Sequence, residues 1–466
     1  MEDVRQNTDA RFSRMTTAPT GRLVCKMAAP AIVIMLTSSL YNTADTYFVG
    51  RLGTGETAAV GIALPLMAAI QALGFFFGHG AGNYISRALG ARNAAGAERM
   101  AAVGFFSALL AGVCLAAVGT RFLTPLARLL GAPYTSFADA REYLFFILLG
   151  APFMVGSIML NNLFRFQGNA FLGMFGMTSG AVLNMALDPL FIFGFGWGVR
   201  GAALATALSQ ATGCALLLTI ARRSTRAVRV SPLAFRPSLR SYAEIVRGGL
   251  PTLLRQGLMS ISVTLLNRAA GSYGDAVIAA ISIAGRVFMI ATSTMLGIGQ
   301  GFQPVCGFNY GAKQYGRVKQ AFWFCTRIGV AGMILCGALG FAFAPHIIAL
   351  FRRDDPEVIR IGAAALRLQC LAFPFAGWII LCNMLLENIG NVVKASVLSL
   401  ARQGVFLIPL LLTLVPRLGV RGIQLSIPVS DFCAFLVSLP LAAAALRRDL
   451  SPPPGGSPPP PQRSAR

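Results

Sequence analysis

Residues 23–50 read LVCKMAAPAIVIMLTSSLYNTADTYFVG, with one lysine near the start, one aspartate near the end and almost nothing charged between. A run of this length exceeds the ~20 residues with which a helix crosses the hydrocarbon core of a bilayer. Residues 276–302, AVIAAISIAGRVFMIATSTMLGIGQGF, repeat the pattern around a single arginine. The 466-residue chain is 55% hydrophobic and 12% charged, with a mean hydropathy of +0.65. A soluble protein of that length needs far more charge to solvate its surface. The fold class is therefore an all-α polytopic membrane protein.

Twelve spans are expected, near 24–49, 57–84, 98–119, 140–165, 170–196, 201–221, 244–268, 276–304, 318–342, 360–386, 393–415 and 421–446. An even count puts both termini on one side. The N-terminal segment, the even-numbered loops and the tail carry roughly twice as many Lys and Arg as the odd-numbered loops, which places both termini in the cytoplasm. The connection after the sixth span, ARRSTRAVRVSPLAFRPSLRSYAEIVR, holds most of that bias. The layout becomes a cytoplasmic segment 1–21, a first lobe 22–221, a basic linker 222–243, a second lobe 244–448 and a Pro-rich tail 449–466, read as disordered.

The formal charge of +23 does not indicate nucleic acid, because the basic residues sit in short loops where orientation signals belong. The first twenty residues lack the apolar core of a signal peptide. The nine cysteines lie scattered with no C-x-x-C pair and read as small buried hydrophobes. His79 and His346 share no ligand spacing, so no transition-metal site is expected.

A shift of 221 residues superposes the halves. Pro30 falls on Pro251, Gly50 on Gly271, Gly53 on Gly274, Gly78 on Gly299, and GVRGA (198–202) on GVRGI (419–423). Near the fourth and tenth spans the shift drifts to 222, pairing Pro152 with Pro374. A six-span unit ends on the side where it began, so the copies are parallel repeats around a central cavity, an arrangement that suits a carrier rocking one half against the other.

The copies disagree at four places. Asp45 faces Leu266, Asn184 faces Val405, Asp188 faces Pro409 and Thr206 faces Ile427. A packing device of the fold would be needed twice; this polar set occurs once. Counting from the outer helix ends puts Asp45 about 6 Å deep, Thr206 about 8 Å, Asp188 about 12 Å and Asn184 about 18 Å. Asn184 and Asp188 are four apart and share a helix face. Pro189 cannot donate to the Met185 carbonyl, so the helix should kink there. Two carboxylates, an amide, a hydroxyl and a freed carbonyl make an all-oxygen pocket for a hard cation or a shared proton. The competing reading is a hydrogen-bonded cluster that only ties three helices together, an expensive use of two carboxylates in hydrocarbon.

APAIVIMLTSSLYNTADTYFVGRLGT (29–54) and GQGFQPVCGFNYGAKQYGRVKQAF (299–322) resemble segments of the multidrug and toxic compound extrusion (MATE) transporters, in particular the bacterial DinF/MepA-like branch, and the similarity extends over roughly 22–448. The resemblance implies a cation site for Na+ or H+ at Asp45, Asn184, Asp188 and Thr206. It implies a bend in the first span at Pro30, and a substrate cavity lined by Tyr41 and Asn161. Arg286 is either a further cavity cation or a side chain that snorkels to an interface. The role of Arg255 stays open, and Glu387, at a cytoplasmic helix end, is expected to be solvated.

The implied protein is no enzyme and uses no cofactor. It is an antiporter of the bacterial inner membrane, working as a monomer, with membrane lipid and no nucleic acid as its surroundings. It exchanges external H+ or Na+ for amphipathic organic compounds from the cytoplasm. Two alternatives remain: a lipid-linked oligosaccharide flippase of the same superfamily, which needs a more cationic cavity, and an intramembrane aspartyl protease using Asp45 and Asp188. The six-span repeat and the lack of a Gly-x-Gly-Asp context argue against the protease.

Overall fold

The computed structural model describes residues 12–132, 136–223, 228, 230–352 and 355–451, with the backbone alone at 42, 43, 46, 54, 55, 58 and 275. Most of the expected cytoplasmic segment (1–11), the core of the basic linker (224–227 and 229) and the Pro-rich tail from 452 onward lie outside the described residues. Among the described residues there is no strand.

Twelve long helices form the bundle: α1 Thr20–Gly50, α2 Thr54–Gly90, α3 Ala94–Arg121, α4 Phe137–Phe166, α5 Ala170–Gly194, α6 Gly198–Arg223, α7 Leu239–Gly271, α8 Asp275–Gly311, α9 Tyr315–Ala342, α10 Pro356–Asn388, α11 Val392–Leu418 and α12 Val420–Ala444. All twelve expected spans correspond to helices, and most of these run a few residues further at both ends. Eleven are long and apolar enough to cross a bilayer. The remaining one, α7, has 33 residues but starts with Arg240, Glu244 and Arg247 and carries Arg255 inside, which lowers its hydropathy. It stands where α1 stands in the other half. At 37 residues each, α2 and α8 reach about 55 Å, well beyond a ~30 Å hydrocarbon core.

The repeat seen as matched glycines and prolines is repeated in the backbone. Helices α2 and α8 begin and end 221 residues apart, and so do α3 and α9. Two short helices, Leu123–Leu129 and Ala344–Phe351, also start 221 apart; they lie in loops where the apolar pattern alone shows no separate element. Left-handed residues recur in register too: Arg92 (φ 58°) with Lys313 (φ 59°), Gly168 (79°) with Gly390 (82°), and Gly198 (55°) with Gly419 (60°). A non-glycine residue in this region is strained by its Cβ. Two of them at one spacing identify the same turn built twice.

The halves meet at the end that carries the chain termini, called here the terminal end. There α2 packs against α7 with almost no side chain between: a Cβ on Gly80 would lie 2.3 Å from the Ile245 carbonyl oxygen, and one on Gly249 would lie 2.3 Å from that of Phe76. Helix α1 meets α8 similarly, Gly301 against Ala28 and Gly297 against Ile32. Further along these same helix faces contact is lost. Leu36 of α1 is 57% exposed, and Ile290 of α8, two turns from Gly297, is 59% exposed. Faces that are buried at one end and bare at the other describe a cleft open at the far end, which under the expected orientation faces outside.

Gly80→Ala should force α2 and α7 apart and cost about 1–3 kcal/mol through overpacking. Gly61→Ala, on the same helix with nothing within 4 Å of the added carbon, should be neutral or slightly stabilising. Thermal melting of the two variants in detergent separates them; equal melting temperatures would mean that α2 and α7 are not in this contact.

Candidate functional site

The polar set singled out by the repeat comes together at the far half of the first lobe. Helix α1 supplies Tyr41 and Asp45, one turn apart; α5 supplies Asn184 and Asp188 on one face; α6 supplies Thr206. All four expected ligands are buried, Asp188 completely. Asn184 Nδ2 donates to Asp188 Oδ1 at 3.2 Å and to Thr206 Oγ1 at 3.3 Å. The Tyr41 hydroxyl lies near Thr206 and within electrostatic reach of both carboxylates. Asp45 and Asp188 are likewise within electrostatic reach of one another.

The hydrogen bonds leave a particular remainder. Asp45 Oδ1, Asn184 Oδ1 and Asp188 Oδ2 are buried without a partner. All three are acceptors, and a buried acceptor without a donor is costly. A hard cation takes oxygen ligands, and a proton shared between carboxylates serves the same end, so the residues fit either. Among the described residues no group of three His, Cys, Asp or Glu could hold a metal ion.

Pro189 follows the site directly. Helix α5 does not end there; it widens into a π-helical turn over Leu190–Gly194, the adjustment a helix makes when proline withholds its N–H. That turn sets Phe193 edge-on to Phe48 of α1, ring centres 6.4 Å apart, between the site and the far end. Toward the middle of the lobe the site continues into a cavity of about 60 Å³ lined by Ser38, Tyr41, Ser157, Asn184, Thr206 and Ser209. A cavity of this size with several polar side chains in its wall has room for ordered water.

The second lobe fills the corresponding space differently. Leu266, Val405, Pro409 and Ile427 replace the four ligands. At the positions matching Ala181 and Gln210 of the first-lobe cavity stand Arg402 and Asp431, 221 residues on. They form a two-pronged ion pair, Arg402 Nε to Asp431 Oδ1 at 2.6 Å and the second nitrogen to Oδ2 at 3.1 Å. Sequence reading passed over this pair, although an Arg and an Asp deep in two apolar spans were its signal.

Other expected residues lie elsewhere. Pro30 sits within a continuous α1, between Ala28 and Ile32, the residues that meet α8. Asn161, expected to line the substrate cavity, is half-buried near the terminal end of α4, its Oδ1 2.5 Å from where a Cβ of Gly173 would lie. Arg286 is exposed on α8, one turn outward of Ile290 on the side turned to the cleft. Arg255 is half-buried, three residues beyond Thr252 on α7. Glu387, expected to be solvated, is 3% exposed. The helix end that carries it does not reach water there, because α2, α7 and α8 project past it.

Paired six-helix lobes around a cleft, with a cluster of unpartnered buried oxygens on α1 and α5, are the architecture of a secondary transporter. The MatE family model matches residues 30–190 and 251–413. The chain belongs to the MatE family of membrane transporters and is not an enzyme. Its relatives include the multidrug export protein MepA of Staphylococcus aureus, 28% identical over 440 residues that cover 92% of this chain and 95% of that one. MepA of Staphylococcus saprophyticus is 28% identical over 88% of this chain and 91% of its own length. Among solved structures, a MOP superfamily transporter from Pyrococcus furiosus, described as having a binding pocket of reversed polarity, matches with a TM-score of 0.87 at 28% identity, covering 93% of this chain and 98% of that one. A multidrug resistance MATE transporter in an outward-facing conformation matches equally, at 27% identity and the same coverage.

Thr206→Val removes an acceptor of the buried Asn184 amide and should cost about 1–3 kcal/mol for the donor left under-satisfied. Ile427→Val, at the repeat-related position, should cost about 0.5–1.5 kcal/mol. Comparing thermal melts of both variants tests this; a smaller loss for Thr206→Val would remove that residue from the network.

Proposed function

We propose that this protein is a cation-coupled antiporter of a bacterial inner membrane, exporting amphipathic organic compounds by alternating access. Asp45, Asn184, Asp188 and Thr206 bind the coupling ion, H+ or Na+. The observation that carries the reading is the buried acceptor-only remainder of that cluster, present in one lobe and absent from its repeat. The multidrug export named for the Staphylococcus relatives supports organic compounds as the cargo. The substrate enters the central cleft from the cytoplasm, where both termini lie, and Tyr41 touches it beside the ion site. Ion entry from outside brings α1 toward α5, with Pro30 as the bend, and displaces the substrate. The protein works as a monomer in lipid, without cofactor or nucleic acid.

A second reading, a flippase for lipid-linked oligosaccharides, draws on Arg286 at the cleft wall, a cation suited to a pyrophosphate. Dye efflux from everted vesicles, set against translocation of a pyrophosphate-linked lipid in proteoliposomes, decides between them.

Asp188→Asn keeps volume and polarity but removes the charge, so efflux should vanish while expression and insertion persist. Leu266→Ile, in the silent copy, should transport normally. Resistance retained in Asp188→Asn, or lost in Leu266→Ile, would remove the ion site from the mechanism.

Competition between ion and substrate also fixes a sign. If protons are the coupling ion, dye affinity falls as pH drops across about 8 to 5, and dye binding must release protons in return. Affinity and proton release measured together on purified protein test this, and the same titration with Na+ at constant pH identifies the ion.

A further inference from the structure

Between the floor of the cleft and the terminal end, buried polar side chains from α2, α4, α7, α8 and α10 meet where the two lobes touch. Arg165 of α4 is 3% exposed, and its hydrogen-bond partners among the described residues include no carboxylate. Its guanidinium donates to Gln303 Oε1 and, at 3.3 Å, to the Gln300 carbonyl, both on α8 of the other lobe. It also donates to Asn162 Oδ1 and, at 3.2 Å, to His79 Nε2, and lies 4.6 Å over the Phe166 ring. Arginine can only donate, so His79 Nε2 accepts, which assigns the imidazole proton to Nδ1. Nδ1 lies 3.1 Å from Thr252 Oγ1 and 3.7 Å from Glu387 Oε2, again both in the other lobe. The Thr252 hydroxyl then donates to Glu387 Oε1 at 3.4 Å. One line of donors runs from guanidinium to carboxylate and passes from lobe to lobe between His79 and Thr252.

These residues obey the repeat. His79 and Gln300 are 221 apart; Arg165 and Glu387 are 222 apart, the spacing that also pairs Pro152 with Pro374 on the same two helices. Arg165 reaches Gln300 while Glu387 reaches His79. Each lobe thus extends the side chain at one repeat position to the same partner position of the other, the reciprocal contact that a two-fold axis produces. True symmetry would set like charges across the axis. Here one copy is Arg and the other Glu, so repulsion is replaced by attraction. Groups of this kind regain water when the lobes part, so the contact can open without the full penalty of an unpaired buried charge.

We propose that Arg165 and Glu387, with His79, Thr252, Gln300 and Gln303 as partners, form a latch that holds the lobes together at the terminal end and must break for the cleft to open on that side. They are positioning residues, remote from the candidate ion ligands, and their role does not rest on which ion or substrate is carried.

The test is a distance between lobes, read without substrate in proteoliposomes. Spin labels go on Ala95→Cys and Gln320→Cys, exposed positions within the first two turns of α3 and α9 at the terminal end, with Cys25, Cys114, Cys336 and Cys433 changed to serine. Arg165→Glu or Glu387→Arg alone sets like charges across the axis and should raise the ratio of far to near populations about tenfold or more. The exchanged pair Arg165→Glu with Glu387→Arg should recover most of the near population, which a merely structural role would not do. Thr252→Val and Arg165→Gln, milder in size and charge, should move the ratio in the same direction by less, and they decide the matter if the reversals fail to insert. Inserted reversals with the unaltered distribution, an exchanged pair no closer to it than either single, or both mild variants unshifted would overturn the latch.

Discussion

A peptide group in hydrocarbon has no water to bond, and every other feature of this molecule follows from that constraint. It forces the chain into helices that satisfy their own backbones, and it leaves the helices little hydrophobic drive to associate, since lipid is as apolar as leucine. Close backbone approach replaces that drive. Gly80, Gly249, Gly297 and Gly301 let α2 meet α7 and α1 meet α8 almost without intervening side chains. Those contacts occur at one end only, and the cleft at the other end is their geometric consequence.

The second organising fact is that one folding unit was used twice and then made unequal. Sister helices of equal length and paired left-handed turns show how closely the backbone copies agree. The side chains do not. The first lobe has carboxylates with unpaired oxygens beside a hydroxyl-lined cavity; the second closes the matching space with Arg402 on Asp431. A guanidinium is a cation that cannot leave. Where one lobe keeps acceptors for a mobile charge, the other has a tethered one, and this explains why only the first lobe is a candidate for ion exchange.

Much of this was legible in the chain. Apolar run length gave the spans, spacing gave the repeat, and the mismatch between copies singled out Asp45, Asn184, Asp188 and Thr206 without any coordinates. Each of these rests on a property local to a helix or on a comparison of two stretches at a fixed offset. Glu387 was misplaced for a physical reason: its distance from a helix end was known, but not how far neighbouring helices project past that end.

The sequence by itself determined the membrane class, the doubled architecture and the polar set of the first lobe, because hydropathy and periodicity act along the chain. Tertiary structure alone decided that Asn184 bridges Asp188 and Thr206, that Arg402 finds Asp431, and that Arg165 and Glu387 are joined through His79 and Thr252 across the lobes. Those pairings join residues on different helices, and in hydrocarbon a buried charge is tolerated only by the partner that packing brings to it. No pattern along the chain carries that information.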